Sequence, residues 1–365
     1  MNTFFLDRLN SEPHALAFAG QSTPWPVALA DQSANPALDE ALHTHAAAAQ
    51  ALLYPVSAEL LATTGRPVDL FGFEPNPARL GAAAAASASV PGIALTQLGA
   101  LLDAAALGYN PAQAKPVAVL GHSQGVLAVH MVQAICEAGS IDAAAAKIDE
   151  ILAIATLIGV AGTRQARQLG LAARHGEATP MLSVKDITRA QVDALIERVD
   201  GAHGPIAVAV TNSATHYVLS GYPEDLAAFG VEVAKEHKRQ AKLREEKVRG
   251  GRVFGPTLEY LDVTLPFHSP LMADAVSQAV AWAEACGINA DHARELAAEV
   301  LLNHVDWAAR VRALMKSTDP SALWVLDFGP GNTVGKLFST VAQGTGVGVV
   351  EASTVADRGA LSTLE

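Results

Sequence analysis

The chain has 365 residues, half of them hydrophobic, and a formal net charge of −12 at pH 7. This length and apolar content can build the core of one large domain, or of a domain with an insert, without disulfides or metals. The acidic balance argues against nucleic-acid binding. Two distant cysteines, Cys136 and Cys286, provide neither a disulfide framework nor a metal cluster, and we expect Cys136 to be buried on an apolar helix.

No targeting or membrane-spanning segment is recognisable in the sequence. The first residues lack a charged stretch followed by a long apolar run, and the other apolar runs are broken by Gly, Pro or charged residues. We therefore expect a cytoplasmic protein that has neither a membrane nor a nucleic acid as its partner.

The first third of the chain alternates between strand-like and helical patterns. A buried strand runs into a glycine turn at residues 15–22, and prolines then force an extended connection. Helices are predicted at residues 37–61 and 93–107, with a proline-containing loop at 65–78. The alanine-rich residues 81–88 suit a helix or a tight packing surface.

Residues 116–125 contain the strongest motif of the sequence. A short apolar strand ends in Gly121-His122-Ser123-Gln124-Gly125, and an apolar helix begins at once. This pattern is the G-x-S-x-G nucleophile elbow, in which a sharp strand-to-helix turn exposes the serine oxygen. The N-terminus of the helix directs backbone N–H groups towards negative charge that develops beside the serine. An ordinary Gly-Ser turn is the alternative, but the flanking strand and helix favour Ser123 as a nucleophile.

The pattern changes after a long helical stretch at residues 141–169. Shorter elements follow in the order β-α-β-β-α-β, which is typical of the split βαβ arrangement. We therefore predict a core of residues 1–178 and 266–365 and an inserted ferredoxin-like subdomain of residues 179–265. Its strands are predicted at residues 181–184, 206–211, 217–220 and 261–265, and its helices at 188–199 and 223–234.

A serine needs a base to act as a nucleophile at neutral pH. Among 12 histidines, His268 stands out because an apolar strand meets a proline-bracketed turn there, Pro266-Phe267-His268-Ser269-Pro270. Such a turn holds an imidazole rigidly at the edge of a sheet; a core histidine bonded to the backbone is the alternative. His122 points away from the serine in an elbow and is interpreted as structural. His216 lies in a polar stretch, and we expect it to face solvent.

The chain thus contains an ordered set of three segments: Phe18-Ala19-Gly20-Gln21, the elbow of residues 121–125, and residues 266–272. Together they resemble the acyltransferases of fatty acid and polyketide synthases. Further matches follow in order at residues 179–184, 211–213, 218–221 and 326–331. The resemblance covers nearly the whole chain and is closest to the acetyltransferase domain of the type I fatty acid synthases of fungi and actinobacteria.

This resemblance implies a fold and a reaction. The fold is a hydrolase-like α/β core with a central parallel sheet and a nucleophile elbow, which carries a ferredoxin-like insert. The reaction is acyl transfer from coenzyme A to the phosphopantetheine thiol of an acyl carrier protein in fatty acid synthesis. No metal and no resident cofactor are implied, because the coenzyme A thioester is the substrate and the phosphopantetheine of the carrier is the acceptor.

The resemblance also implies a role for individual residues. Ser123 accepts the acyl group, and His268 takes its proton and then activates the thiol of the carrier. The backbone N–H groups of Gln21 and Gln124 form the oxyanion hole. A backbone carbonyl near residues 300–303 orients the histidine, so that no Asp or Glu partner is required.

The identity of the acyl group depends on one arginine. In malonyl-specific members of the family, an arginine on the helix after the elbow forms a bidentate pair with the malonyl carboxylate. Its position falls on Ala161 or on Arg164, depending on where a gap is placed. Ala161 implies a neutral acyl group such as acetyl, which the closer resemblance favours, whereas Arg164 leaves malonyl open. Phe267 leaves little room for a branched acyl group, and Asn212 is assigned to substrate binding.

The expected partners are an acyl carrier protein and other domains of a multifunctional synthase. Residues 235–252 contain eight Lys or Arg and three Glu, which is typical of a solvated helix face or, alternatively, of a surface for an acidic partner. An esterase or thioesterase on the same elbow stays a rival, although no HGGG-type loop occurs. A degenerate acyltransferase that serves as a scaffold is the second rival. Residues 329–337 do not have the glycine spacing of a phosphate-binding loop.

Overall fold

The computed structural model describes residue 9 and residues 11–73, 85–171, 178–199, 201–245 and 255–353 of the chain. Three pieces of the stretches discussed above lie outside the described residues: 74–78, 81–84 and 246–252.

Strands and helices alternate along the described chain, which confirms the predicted α/β class. The strands are β1 His14–Phe18, β2 Ala118–Gly121, β3 Met181–Lys185, β4 Ala207–Ser213, β5 His216–Ser220, β6 Thr257–Tyr260, β7 Val305–Asp306, β8 Trp324–Asp327 and β9 Gly348–Glu351. The helices are α1 Trp25–Ser33, α2 Pro36–Leu52, α3 Ser57–Thr64, α4 Ala86–Ala106, α5 Pro111–Ala114, α6 Val126–Ala138, α7 Ile141–Gln168, α8 Arg189–Ile196, α9 Pro223–Glu245, α10 Ala273–Ala285, α11 Ala290–Leu301, α12 Trp307–Ser317 and α13 Thr333–Val341.

Four of the described strands form a parallel sheet in the order β2-β1-β8-β9. All residues of β1 are buried, as expected for a strand that helices cover on both faces. In its register Phe18 pairs with Gly121 and Ala17 pairs with Asp327. The segments that follow β1, β2 and β8 therefore leave the sheet at the same edge, which is where open α/β sheets bind ligands.

Helices α4 and α7 pack closely in the core. Gly159 of α7 permits this approach, because a Cβ atom at that position would collide with the carbonyl oxygen of Ala86. By length and composition, α4 is the one helix of the described chain that could cross a membrane, but 89% of its most apolar window is buried inside the protein. Such burial is typical of a core helix.

A second sheet has the order β6-β3-β5-β4-β7 and is antiparallel except for its β4–β7 pair. Between residues 181 and 260 the elements follow the predicted order β-α-β-β-α-β. Helices α8 and α9 cover the sheet, and a small separate core forms between them. This second core consists of Leu182, Val184, Ile187, Val192, Leu195, Tyr217, Leu219, Leu226, Phe229 and Val233.

The sequence placed the last strand of this sheet wrongly. The structure has β6 at Thr257–Tyr260, whereas residues 261–265 form an irregular connection. Val263 and Leu265 pack into the main core, so their apolar pattern reflects burial and not strand pairing. The short strand β7 joins the sheet from beyond residue 265 and ties it to the main domain. The boundaries at residues 179 and 265 stay a prediction.

Two predictions about single side chains were also wrong. Cys136 is exposed, because it falls on the outer face of the amphipathic helix α6. His216 does not simply face solvent: its Nε2 atom lies 3.0 Å from Ser183 Oγ and 3.4 Å from Asn212 Nδ2.

Candidate active site

The elbow at Ser123 forms at the end of β2. A single 3₁₀ turn, Ser123–Gly125, connects the strand to α6, and Ser123 has a φ of 55°. A left-handed backbone is costly for a residue with a side chain and is found mainly where surrounding structure enforces it. Here Gly121 and Gly125 permit the close backbone packing that goes with it, because a side chain at either position would collide with neighbouring backbone. A Cβ atom at Gly121 would lie 2.6 Å from the carbonyl carbon of Gly125, and one at Gly125 would lie 2.8 Å from that of Phe18.

The segment after β1 packs directly against the serine. A Cβ atom at Gly20 would lie 2.8 Å from Ser123 Cβ and 2.7 Å from the carbonyl oxygen of His122. Only glycine fits at position 20, and its fit brings the next residue, Gln21, beside the elbow. The two loops therefore form one unit at the sheet edge.

Ser123 and His268 meet at this edge. Ser123 Oγ lies 2.7 Å from His268 Nε2, and the two residues are 8% and 2% exposed. His268 also has a left-handed backbone, with a φ of 56°. Its Nδ1 atom lies 2.8 Å from the backbone oxygen of Asn303, which can only accept a hydrogen bond. Nδ1 therefore carries the proton, and Nε2 accepts the serine hydroxyl.

The turn that contains His268 is hydrogen-bonded to the C-terminal end of α11. The backbone N–H of Ser269 donates to the oxygen of Leu301 at 3.1 Å, next to the bond between His268 and Asn303. The structure thus places a backbone carbonyl where the resemblance implied one. A carbonyl in this role needs no particular side chain at position 303.

Burial lowers the pKa of His268 from 6.5 to about 3. The hydrogen bond to Asn303 opposes this effect, whereas Arg310, and His122 and His304 when they are protonated, add to it by charge repulsion. The imidazole is consequently neutral at physiological pH and can accept a proton from Ser123.

Two glutamines border the serine. The side chain of Gln21 donates from Nε2 to Oε1 of Gln124, and Gln124 Nε2 donates to the backbone oxygen of Val90 at 3.0 Å. Among the described residues, no backbone hydrogen bond of a turn or loop uses the N–H group of Gln21 or Gln124. Free backbone donors beside a nucleophile are what an oxyanion hole requires.

Two residues that sequence reasoning missed support these loops. Gln97, buried on α4, donates from Nε2 to the backbone oxygens of Ala19 at 2.7 Å and Gly329 at 3.1 Å. Arg310, on α12, donates to the backbone oxygen of Gly121 at 2.8 Å. Both act on backbone oxygens far away in sequence, so no local pattern indicates them.

Arg164 is not brought to the serine. Its guanidinium donates to Gln278 Oε1 at 3.0 Å and lies 5.9 Å from the ring of Trp282, and both of these residues are on α10. It is not among the cations that affect the pKa of His268. Ala161, the other candidate position, is buried.

Phe267 and Asn212 both lie near the catalytic pair: Phe267 precedes His268 in the chain, and Asn212 is bonded to His122 beside Ser123. Phe267 is buried directly before His268, and the two ring centroids are 6.5 Å apart. Asn212 is also buried, but its side chain is already bonded to His122. The observed hydrogen-bond partner of the His122 ring is Asn212, at 2.7 Å.

The described residues contain no group of three or more His, Cys, Asp or Glu side chains that could hold a metal ion. Three clefts of about 360, 520 and 490 Å³ surround residues 64–73, and neither Ser123 nor His268 lines any of them. The chemistry therefore has to be derived from the serine–histidine pair and its donors.

Comparison with known proteins identifies similar sequences and folds. Residues 180–260 match the family model described as the fatty acid synthase central AT domain. The chain is 27% identical to the fatty acid synthase beta subunit TOXC of Cochliobolus carbonum over 310 residues, which are 73% of this chain and 14% of that protein. The chain thus spans a small part of the length of such relatives.

Solved structures share the fold over almost the whole chain. The malonyl-CoA–acyl carrier protein transacylase of Coxiella burnetii has a TM-score of 0.63 at 17% identity, with 96% of this chain and 97% of that chain covered. A malonyl-transacylase in complex with its type II polyketide synthase acyl-carrier protein has a TM-score of 0.61 at 17% identity, with coverages of 96% and 99%. These structures show a shared fold, and the family model and the fatty acid synthase relatives confirm the resemblance stated from the sequence motifs.

Proposed function

We propose that this chain, a relative of the acyltransferases of fatty acid and polyketide synthases, transfers an acyl group from coenzyme A to the phosphopantetheine thiol of an acyl carrier protein. The observation that supports the proposal most directly is the 2.7 Å contact between Ser123 Oγ and a neutral His268 Nε2 at a left-handed strand-to-helix turn. A hydroxyl in this arrangement can lose its proton as it attacks a carbonyl carbon.

The first half-reaction acylates the serine. His268 Nε2 takes the hydroxyl proton while Ser123 Oγ bonds to the thioester carbonyl carbon, and the carbonyl oxygen becomes an oxyanion. The backbone N–H groups of Gln21 and Gln124 stabilise that charge, each by about 3–4 kcal/mol. When the tetrahedral intermediate collapses, the carbon–sulfur bond breaks and the imidazolium returns its proton to the departing coenzyme A thiolate.

The second half-reaction is the first in reverse with another thiol. His268 removes the proton of the carrier's phosphopantetheine thiol, and the thiolate attacks the carbonyl carbon of the Ser123 ester. The oxyanion forms again, the carbon–oxygen bond to Ser123 breaks, and His268 returns the proton to Ser123 Oγ. The enzyme is restored, and the thioester bond is conserved.

The pair works without a carboxylate partner. The backbone oxygen of Asn303 fixes the tautomer and the orientation of His268, which is the positioning part of a carboxylate's role in a catalytic triad. It lacks the negative charge that would stabilise an imidazolium. The oxyanion donors therefore carry more of the transition-state stabilisation.

Acetyl is the proposed acyl group. Arg164 is engaged with Gln278 and Trp282, so it does not supply the cation that a malonyl carboxylate would need. The buried ring of Phe267, next to the base, disfavours branched acyl chains. Malonyl is the second candidate, because the solved structures that share this fold are malonyl transacylases.

The proposal includes a setting for the reaction. The relatives are fatty acid synthase subunits, so we place the chain in fatty acid synthesis, in the cytoplasm, with an acyl carrier protein and other synthase domains as its partners. The coenzyme A thioester is a substrate, and the mechanism uses no metal and no resident cofactor.

Labelling the serine tests the proposal. The protein is incubated with acetyl-CoA and with malonyl-CoA separately, without a carrier, and the adduct is located by peptide mass spectrometry. We expect an acetyl ester on Ser123 and no adduct in Ser123→Ala. No labelling of Ser123 by either thioester would contradict acyl transfer, and stronger malonyl labelling would contradict the acetyl preference. Rapid loss of the ester to water without a thiol would indicate an esterase or thioesterase.

A further inference from the structure

A hydrogen bond joins the catalytic elbow to the second sheet. His122, the residue before Ser123, has its Nε2 atom 2.7 Å from Oδ1 of Asn212 on β4. Asn212 is 4% exposed, and the His122 ring lies edge-on against Trp307 at a centroid distance of 5.4 Å. A buried polar contact of this kind constrains both partners, because leaving either one unpaired is costly.

Asn212 extends this hydrogen bond into a network with other residues of the second sheet. Asn212 Nδ2 lies 3.4 Å from His216 Nε2, and Ser183 Oγ lies 3.0 Å from the same nitrogen. An amide nitrogen and a hydroxyl both donate here, so His216 Nε2 must be the acceptor. Since Nδ2 of Asn212 faces His216, its Oδ1 faces His122 and accepts. His122 therefore carries its proton on Nε2.

The bond to Asn212 by itself favours a protonated His122, so burial is what keeps this ring neutral. A proton on His216 Nε2 would place three donors together, and a doubly protonated His122 would be a buried cation. Burial lowers the pKa of His122, and it lowers the pKa of His216 to about 4. The charged groups facing His122 are Arg310 and the imidazoles of His216 and His268, whereas those facing His216 are Lys185, Glu259 and His122, and those facing His268 are His122, His304 and Arg310.

The charge of His122 matters to the reaction. His268 becomes an imidazolium each time it takes a proton, and a positive His122 disfavours that state. His122 also directly precedes the nucleophile in the chain. The backbone oxygen of His122 accepts a hydrogen bond from the N–H of Gly125 at 3.0 Å. The orientation and the protonation of His122 thus act on both halves of the catalytic pair.

We infer that Asn212, contributed by the second sheet, is a positioning residue for the transfer reaction: its Oδ1 accepts a hydrogen bond from His122 Nε2 and so holds that ring in one orientation. In this way it fixes the peptide before Ser123, while burial keeps the His122 ring uncharged beside His268. The inference rests on the proposed function for its kinetic consequences. It replaces the sequence-based assignment of Asn212 to substrate binding, because both ends of the amide are already bonded within the protein.

Substitutions at position 212 separate charge from orientation. Asn212→Asp puts a carboxylate against His122, which favours its protonated form. Because a protonated His122 disfavours the imidazolium of His268, the acid limb of the Ser123 acylation rate should follow the raised pKa of His122. We expect this limb to move up by about one pH unit. Asn212→Ala removes the contact without adding charge, so we expect a loss of about tenfold at all pH values with the limb unmoved. Ser213→Ala, next on the strand, is the control: its hydroxyl accepts from the N–H of Thr215 and not from His122.

A second substitution traces the effect to His122. A glutamine at position 122 can still donate to Asn212 but does not titrate, so the acid limb of the double variant His122→Gln/Asn212→Asp should return to its wild-type position. If it stays shifted, the effect passes through another group and the inference is wrong. Wild-type kinetics in both Asn212→Ala and Asn212→Asp would overturn it as well.

Nitrogen NMR of the histidine rings tests the inference without the reaction. We expect a neutral His122 with its proton on Nε2 at pH 7, and a change of that signal in Asn212→Ala. A charged ring, or a proton on Nδ1, would overturn the inference even if Ser123 is acylated. Conversely, a wild-type protein that forms no acyl-serine would refute the proposed function and leave this measurement valid.

Discussion

The elbow at Ser123 and the turn at His268 do the same thing by different means. Both hold a non-glycine residue in a left-handed backbone, with φ values of 55° and 56°, and their side chains meet at 2.7 Å. The elbow depends on the glycines two residues away on each side, which let it pack against residues 18–20, whereas the histidine turn is held by carbonyls of residues 301 and 303. The residues that allow the elbow therefore stand beside Ser123 in the sequence, whereas the groups that hold the histidine turn come from a distant segment.

This difference predicts how each half fails when it is altered. A change in the elbow alters the backbone packing around Ser123, including its contact with Phe18. A change around His268 alters long-range contacts and the protonation of a buried ring. The following variants test the comparison, from the largest expected effect to the smallest.

Removing either reacting group should abolish transfer. We expect Ser123→Ala and His268→Ala each to lower kcat by about 10⁴-fold or more, and the double variant to be no worse, because the two groups act as a unit. The measurement is the transfer of acetyl from coenzyme A to a carrier protein. Ser277→Ala, exposed on α10, is the control. Additive losses would show that the two residues do not cooperate.

Adding a Cβ atom at Gly125 should displace the elbow that carries Ser123. Gly125→Ala forces its Cβ against the Phe18 backbone, so we expect the free energy of unfolding to fall by about 1–3 kcal/mol and transfer to be lost. Gly139→Ala is the matched variant. Gly139 has a φ of 88° with nothing within 4 Å of its Cβ position, so it costs about 1–2 kcal/mol of backbone strain and leaves activity intact. Chemical denaturation gives the free energy of unfolding of both variants, and kinetic assays give their transfer rates. Equal activities would contradict the collision expected between the new Cβ atom at position 125 and the Phe18 backbone.

The buried imidazole should make stability depend on pH. The pKa of His268 is about 3 in the folded protein and 6.5 when the chain is unfolded, so only the unfolded state binds this proton between those values. Its contribution to stability is complete above pH 6.5 and is lost as the pH falls. His268→Gln should therefore lose less stability than the wild type between pH 7 and pH 5, by about 2 kcal/mol.

Urea denaturation of both proteins at the two pH values measures this difference. Asp327 changes stability in the opposite direction, because burial raises its pKa to about 7, but its contribution is the same in both proteins. Identical pH dependence in the wild type and His268→Gln would show that His268 already titrates normally in the folded protein.

Removing Arg164 should have the smallest effect. Its guanidinium is exposed and bound to Gln278 and Trp282, so Arg164→Ala should change acetyl transfer and the acetyl-to-malonyl ratio by about twofold at most. Rates with the two thioesters measure the ratio. A selective loss of malonyl transfer would mean that Arg164 reaches the substrate after all.

The sequence alone predicted the parts of the molecule that depend on short-range patterns. The elbow is a strand, a glycine-flanked serine and a helix within about 20 residues, and the order β-α-β-β-α-β follows from successive periodicities. The pairing of Ser123 with His268 came from a resemblance to known acyltransferases, not from the spacing of the two residues.

Only the tertiary structure decided which groups support that pair. The partners of His268, His122 and Arg164 are 35, 90 and 114 residues away in the chain. The apolar residues 261–265 were taken for a strand because burial in a core and pairing in a sheet select the same side chains. A hydrogen bond or a packing contact depends on where two segments meet in space, and a single chain carries no local signature of that meeting.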